Sequence, residues 1–459
     1  MRKFLPFAVL LAVGCSVQPK YERPAVELPE AWKQAAPRFA EDGRWWRIYD
    51  DVELDRTIDE GLASNADLLI AAARVDEARA LLGEARSFFF PRVDAQAGAS
   101  RQQISERTAT AFAGIPREYS NYRATLNVSY EVDLFGRLRA GAAAAQAELE
   151  ATEASRDAVR LALAAQVAKS YFALRSLDEQ VALTRRTVAL REDWLGLQRK
   201  RHQGGVISDY ELRQQEAETA AVRAQLPPLE REREREEVAL AVLLGRTPKQ
   251  VFESQVAIKQ SFDDTPEPPA VPSGLPSELL LRRPDLVEAE RRLAAADARV
   301  GAARAEMFPS IALTGFLGSE SRSLSDLFTG PSVIWQLAAS ATQPIFAGGR
   351  LQARTEASEA RERAALAQYQ QAIRSAFGEV RTALIAQSRA RESYDAESTR
   401  AAALGETLRL ARLRYQNGVA SQLDVLDAER GLLAAQSARI EALRAHRAAV
   451  ADLFRALGG

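Results

Sequence analysis

Few side chains of this 459-residue sequence are equipped for bond-making chemistry. One Cys (Cys15) and two His (His202, His446) exclude a disulfide within the chain by counting, and leave little for a metal site or a nucleophile–His pair. His202 falls in a turn and His446 on a helix near the C-terminus, neither with a catalytic neighbour in sequence. The suggestive groups are acidic and sit at two matching turns. Ser208 precedes Glu211, and Ser421 precedes Asp424, by the three residues of a capping box, in which side chains and backbone N–H groups satisfy one another. Asp427 lies past the cap, on one helical face with Leu423, and Arg430 follows one turn later. It suits a surface ion pair with Arg430. Repeated around a symmetric tube, it equally suits an acidic ring that filters cations and holds an aperture shut.

The elements that position these turns occur twice. Asn65–Pro91 lies over Arg283–Pro309, with Asp67 on Asp285, Gly83 on Gly301 and Pro91 on Pro309. Further on, Gly136-Arg137-Leu138 matches Gly349-Arg350-Leu351, Gly205-Val206 matches Gly418-Val419, and Ser208 matches Ser421. A period this long marks two copies of one unit and predicts a pseudo-symmetric wall. Gly136–Gly204 and Gly349–Asn417 lack Pro and are rich in strong helix formers, so each is expected to be one rod of roughly 100 Å. Shorter helices are expected at roughly 52–90, 208–244, 277–307 and 421–457, with Pro227-Pro228 breaking or kinking the second. Gly205 and Gly418 fit positive-φ positions after the rods. Glu230–Glu237 (EREREREE) reads as a solvated helical face with local ion pairs.

Residues 122–134 alternate. Tyr122, Ala124, Leu126, Val128, Tyr130, Val132 and Leu134 point one way, and Arg123, Thr125, Asn127, Ser129, Glu131 and Asp133 the other. Val93, Ala95, Ala97 and Ala99 begin a fainter partner ending in a polar loop near Gln102–Asn121. The second copy offers Ile311–Leu317 and Trp335–Ala341 around Gly318–Pro331, with Trp335, Tyr122 and Tyr130 as interface anchors. A half-buried soluble sheet explains such patterns as well as a membrane one. Four strands cannot close a barrel and lipid tolerates no open edge, so membrane strands require several chains to share one barrel. A net charge of −1 with 27% charged residues, both signs interspersed, gives no sign of nucleic-acid binding.

Met1-Arg2-Lys3 and the apolar Phe4–Gly14 read as a signal peptide, too short to span a bilayer. Ala12-Val13-Gly14-Cys15 resembles the bacterial lipobox, with Ala12 in place of the usual Leu, and Ser16 fits outer-membrane sorting; Cys15 is the expected lipidation site. Arg282–Leu286 (RRPDL) continuing to Phe308-Pro309, the duplicated GV-x-S turns, Tyr130–Arg137 (YEVDLFGR), Gln343–Arg350 (QPIFAGGR) and Leu423–Arg430 (LDVLDAER) complete a set of motifs. By these the chain resembles the outer-membrane efflux factors, the TolC-like family, and most closely its lipoprotein subfamily in tripartite drug-efflux systems, over essentially residues 15–457.

The resemblance implies an α+β, mainly α fold. In it, a duplicated helix-hairpin and β-hairpin unit forms a homotrimeric twelve-strand outer-membrane β-barrel, four strands per chain, continued by a periplasmic α-helical barrel. The expected organisation is a signal peptide at 1–14, a lipid-anchored extended segment and collar at 15–50, repeat 1 at 51–245, a Pro-rich collar linker at 246–276, and repeat 2 at 277–459. Repeat 1 holds a β-hairpin at about 92–135 and the long helix 136–204; repeat 2 holds a β-hairpin at about 310–346 and the long helix 349–417. The implied periplasmic gate maps to Leu423, Asp424 and Asp427, with Tyr415, Arg430 and Glu211 as partners in the closing network. Gly205, Val206, Ser208, Gly418, Val419 and Ser421 are the implied tips that receive a periplasmic adaptor protein, itself bound to an inner-membrane efflux pump. Outer-membrane lipid is the other implied partner; no cofactor, metal or nucleic acid is. The implied activity is passive export of small toxic molecules, powered by the pump. Protein or heavy-metal export, or a non-conducting coiled-coil lipoprotein scaffold, are the alternatives, and an enzyme is the weakest reading.

Overall fold

The computed structural model describes residues 22–24, 43–105, 117–253, 262 and 282–459. Cys15, the 1–14 leader and most of the expected collar fall outside them. A short 3-10 helix (Trp45–Tyr49) leads into α1 (Val52–Ser64), α2 (Ala66–Ser87), β1 (Arg92–Gln103), β2 (Glu118–Val132) and α3 (Arg137–Gln203). There follow α4 (Asp209–Arg223), α5 (Leu226–Leu243), α6 (Pro248–Glu253), α7 (Pro284–Ala305), β3 (Ser310–Ser321), β4 (Val333–Thr342), α8 (Arg350–Gln416) and α9 (Gln422–Leu457). Both rods, α3 and α8, run 67 residues without a break.

Capping chemistry decides where the shorter helices stop. The stretch 52–90 is two helices, because Asn65 turns its side chain back on the chain. Its Oδ1 accepts from the N–H groups of Asp67 and Leu68, while its Nδ2 donates to the Leu243 carbonyl at 2.9 Å. The stretch 208–244 divides at Ala224-Gln225, one residue ahead of the prolines, which then occupy the first turn of α5 where a missing N–H costs nothing. The strands outrun their apolar cores: Tyr119–Asn121 and Gly318–Ser321, expected as loop, both lie in the ladder.

Two compact units are built from interleaved stretches. The first takes Met1–Ala25, Arg74–Glu153 and Glu288–Gln370. It holds one antiparallel sheet in the order β1-β2-β3-β4. Its helical part packs Val75, Ala78 and Leu82 of α2 on Leu149 of α3. Polar rows beside that seam pair Arg291 with Glu150 at 3.1 Å, Arg299 with Glu148 at 2.8 Å and Arg354 with Glu306 at 2.7 Å. Two of the shared motifs are helix–strand elbows here. Arg137 forks onto Glu131 (3.0 and 2.6 Å), Asp133 accepts from the N–H groups of Leu138 and Arg139, and Phe135 stacks on Phe308 at 5.0 Å.

The second unit takes Val26–Ala73, Ala154–Val287 and Gln371–Gly459. Its core joins Trp45, Trp46 and Tyr49 to Tyr171, Phe172 and Leu174 of α3, to Phe262, and to Val450 and Phe454 of α9. A buried polar cluster sits within it. Asp51 caps α1 through the N–H groups of Glu53 and Leu54. Its other oxygen receives Arg175 at 2.8 Å and the Tyr171 hydroxyl at 3.0 Å. The Arg447 guanidinium lies 4.5 Å from the Phe262 ring centre and donates to the Phe262 carbonyl. The RRPDL motif belongs to this unit too: Arg283 holds Asp285, Glu379 of α8 and the Ala456 carbonyl at the end of α9.

Candidate functional site

Each unit carries one functional feature. In the first, the ladder places odd residues of β1, even residues of β2, and odd residues of β3 and β4 on one face. Val93 lies opposite Val128, Leu126 opposite Leu317, and Leu317 opposite Trp335. That face is apolar and bare, with Trp335 70% and Leu337 81% exposed. A contiguous apolar face of this kind is a surface for lipid or another chain. The reverse face is polar. Arg123 lies over Phe316 at 4.7 Å and 3.7 Å from Glu320, and Asn121 donates to Glu320 at 2.7 Å.

In the second unit, each rod ends in the same turn. Val206 N–H reaches back to the Arg201 carbonyl and Gly205 N–H to that of His202; Val419 and Gly418 repeat this on Arg414 and Tyr415. Both glycines stand at φ 71°, where a side chain would be strained. Ser208 and Ser421 then cap α4 and α9. Glu211 and Asp424 complete the boxes, each accepting from its serine's N–H at 2.8 Å. Those hydrogen bonds, foremost the backbone ones, hold both carboxyls below the usual carboxylate range, so they stay charged as pH falls toward it. At the tips themselves Val206 and Tyr210, and their repeat counterparts Val419 and Leu423, are exposed apolar pairs.

Asp427 does pair with Arg430, at 3.1 Å. Arg430 does more than that, since it also forks onto Glu218 of α4, its Nε at 2.9 Å and its Nη2 closer still. Glu218 is lowered in pKa chiefly by that contact, and it also accepts from the buried Arg191 of α3 at 3.3 Å. Tyr415 is joined to Arg201, whose Nη1 donates to its hydroxyl at 3.0 Å, and to the edge of Trp194. Glu211, expected in the same network, is occupied by its cap instead. Beneath these, Gln422 donates to Gln215 at 3.1 Å in a buried layer.

The contacts sort by symmetry. Arg199–Glu216 and Arg412–Glu429 are repeat counterparts, and each ties the two helices of its own hairpin. The Arg430–Glu218 bond, which joins the α3/α4 hairpin to the α8/α9 hairpin, and the adjoining Arg191 use residues that the repeat does not preserve, whereas Arg201 recurs as Arg414. Arg191, Glu218 and Arg430 stand where the other copy has Leu404, Gly431 and Ala217. Sequence reasoning missed Arg191, Arg201, Gln215 and Glu218. For Arg191, Gln215 and Glu218, departures from the repeat were the available signal; Arg201, repeated as Arg414, gave none.

Comparison with known proteins supplies the context. Residues 57–246 and 275–459 match the family model described as outer membrane efflux protein. Cation efflux system protein CusC of Escherichia coli O6:H1 is 34% identical over 100% of this chain and 98% of its own length. Outer membrane protein OprJ of Pseudomonas aeruginosa is 36% identical over 98% of this chain and 95% of its own. Among solved structures, the CmeC outer membrane channel of Campylobacter jejuni superposes with a TM-score of 0.88 at 26% identity, covering 97% of this chain and 95% of that one. The open state of the MtrE outer membrane channel of Neisseria gonorrhoeae gives 0.84 at 34% identity, covering 97% and 98%.

Proposed function

The chain belongs to the outer membrane efflux protein family, and from that premise we propose that it is the outer-membrane duct of a tripartite system exporting small toxic molecules. The observation that carries this reading is the two-faced sheet, apolar and bare on one side, polar on the other, with two edges that only further chains can pair. Three copies would close twelve strands, with the apolar rows toward lipid and Arg123, Glu320 and Asn127 toward the lumen. Cys15 would carry the lipid anchor. The rods would form the periplasmic tunnel and end at the turns Gly205-Val206 and Gly418-Val419. There Ser208 and Ser421 fix the returning helices, and the exposed pairs Val206/Tyr210 and Val419/Leu423 offer an adaptor protein its apolar contact. The inner-membrane pump would supply the energy.

The gate is assigned to the α8/α9 tip, with Leu423, Asp424 and Asp427 narrowing the aperture. Opening requires that hairpin to move from the α3/α4 hairpin, so the Arg430–Glu218 and Arg201–Tyr415 bonds oppose it. Glu211 and Asp424 act mainly by keeping the turns rigid. The open state recorded for MtrE supports a gated duct.

Deleting the gene in its own host and measuring growth tests the substrate class. Sensitivity to organic toxicants should rise several-fold and return to normal with the gene restored. The similarity to a cation efflux protein favours one second reading, metal-ion export. Sensitivity confined to metal cations would replace the first reading with that one, and no change in either would remove both.

A further inference from the structure

We propose that Gln198, Gln215 and Gln422 form a slip layer between the two hairpins of the second unit, a buried row of amides that favours opening. The inference rests on the gate reading above and adds what lets that gate move. It starts from a difference between the repeats. Near the tip of the α8/α9 hairpin the seam is apolar: Leu408, Val425 and Ala428 form one buried cluster, with Ala411 and Leu432 packed against it. The α3/α4 hairpin keeps leucines at two of these positions, Leu195 and Leu212. At the other three, Ala411, Ala428 and Leu432 are replaced by Gln198, Gln215 and Thr219, and all three replacements are buried.

Gln198 and Gln215 are each 0% exposed. They lie at one level of the hairpin, because Arg199, next to Gln198, bonds to Glu216, next to Gln215, at 3.1 Å. Gln422 of α9 comes from the other hairpin and donates to Gln215 at 3.1 Å. Its counterpart in the first copy, Asp209, is exposed, so Gln422 is buried by the neighbouring hairpin and not by its own turn. The bond between Gln422 and Gln215 engages one amide atom on each side. The remaining amide atoms, Gln198 Oε1 and Nε2, Gln215 Nε2 and Gln422 Oε1, meet no hydrogen-bond partner among the described residues.

A polar atom buried without a partner raises the energy of the state that buries it. Here that is the closed state, with α9 lying against the α3/α4 hairpin. Moving the α8/α9 hairpin away admits water to the layer, and water satisfies each of these atoms. An apolar layer would act the other way, since parting it would expose surface that water disfavours. The seam inside the α8/α9 hairpin, which moves as a body, is apolar; the joint that must part is polar. Arg430–Glu218 and Arg201–Tyr415 hold that joint closed, and the glutamines keep the hold weak enough to release. The α3/α4 hairpin stays together through Leu195, Leu212 and the Arg199–Glu216 pair.

Methionine tests the layer, because it is unbranched, close to glutamine in size and carries no amide. The full-length protein with Tyr415→Phe and Arg430→Ala, which lacks the closing bonds, is the background in which open dwells are frequent enough to measure. Adding Gln198→Met, Gln215→Met and Gln422→Met should shorten those dwells in planar bilayers and lower the open-to-closed ratio about 5–30-fold. Gln198→Met alone breaks no bond and should act in the same direction, which decides the matter if the triple change prevents assembly. Dwells that are unchanged or longer, even with a raised melting temperature, overturn the slip layer and leave the gate in place. A background that opens no more than wild type overturns the gate reading and the layer together.

Discussion

Tyr415→Phe combined with Arg430→Ala should raise single-channel conductance in planar bilayers, with longer open dwells, in a protein that still assembles. Tyr415→Phe removes only the oxygen that Arg201 holds and keeps the ring beside Trp194. Arg430→Ala removes the fork on Glu218 and the bond to Asp427 together. Each link is a partly solvated hydrogen bond, so the pair should contribute about 1–2 kcal/mol to the closed arrangement, or about a 5–30-fold change in its ratio to the open one. Neither residue supports a cap, because Ser208–Glu211 and Ser421–Asp424 close the boxes independently. Asp424→Ala with Asp427→Ala offers a contrast, since it cuts the Arg430 pair but also frays the start of α9. Traces identical to wild type in the first variant would reduce these bonds to ordinary surface contacts.

The largest stability effect is expected far from the tip. Arg175→Met strands the Asp51 carboxylate in a core where both side chains are only 1% exposed. Removing one partner of such a pair costs about 3–5 kcal/mol, because the other charge is left uncompensated. The cluster joins the segment before α1 to α3, and its neighbour Arg447 reaches the same aromatic group from α9, so the loss should also lower the yield of assembled protein. Thermal unfolding in detergent, followed by circular dichroism, measures this. Arg409→Ala, which cuts the solvent-exposed pair with Glu406, should leave the melt unchanged. Equal melts for the two variants would contradict the assignment of Asp51–Arg175 as a buried clamp.

Periodicity made much of the fold readable in the sequence. The rods were visible because Pro is missing from two long Ala-, Leu-, Arg- and Glu-rich runs, and β2 because its apolar and polar residues alternate strictly. β1 was faint for a physical reason: Ala95, Ala97 and Ala99 carry too little apolar surface to announce a strand, and pairing with β2 supplies what they lack. The break at Asn65 depended on a side chain bonded to Leu243, 178 residues away. At the tips, the cap residues were legible because their spacing is local. The bonds between hairpins were not, since Arg430 meets Glu218 across 212 residues and Tyr415 meets Arg201 across 214. Which helical rows face each other is settled by packing, and no short window of sequence holds that information.

Electron microscopy of the full-length protein purified in detergent tests the central claim most directly, because it needs no open gate and no known substrate. The account predicts a threefold particle well over about 100 Å long, the reach of one rod at 1.5 Å per residue, with a detergent belt at one end. A compact particle, or a rod without a belt, would contradict it, because the apolar face of the sheet would then not be a membrane surface.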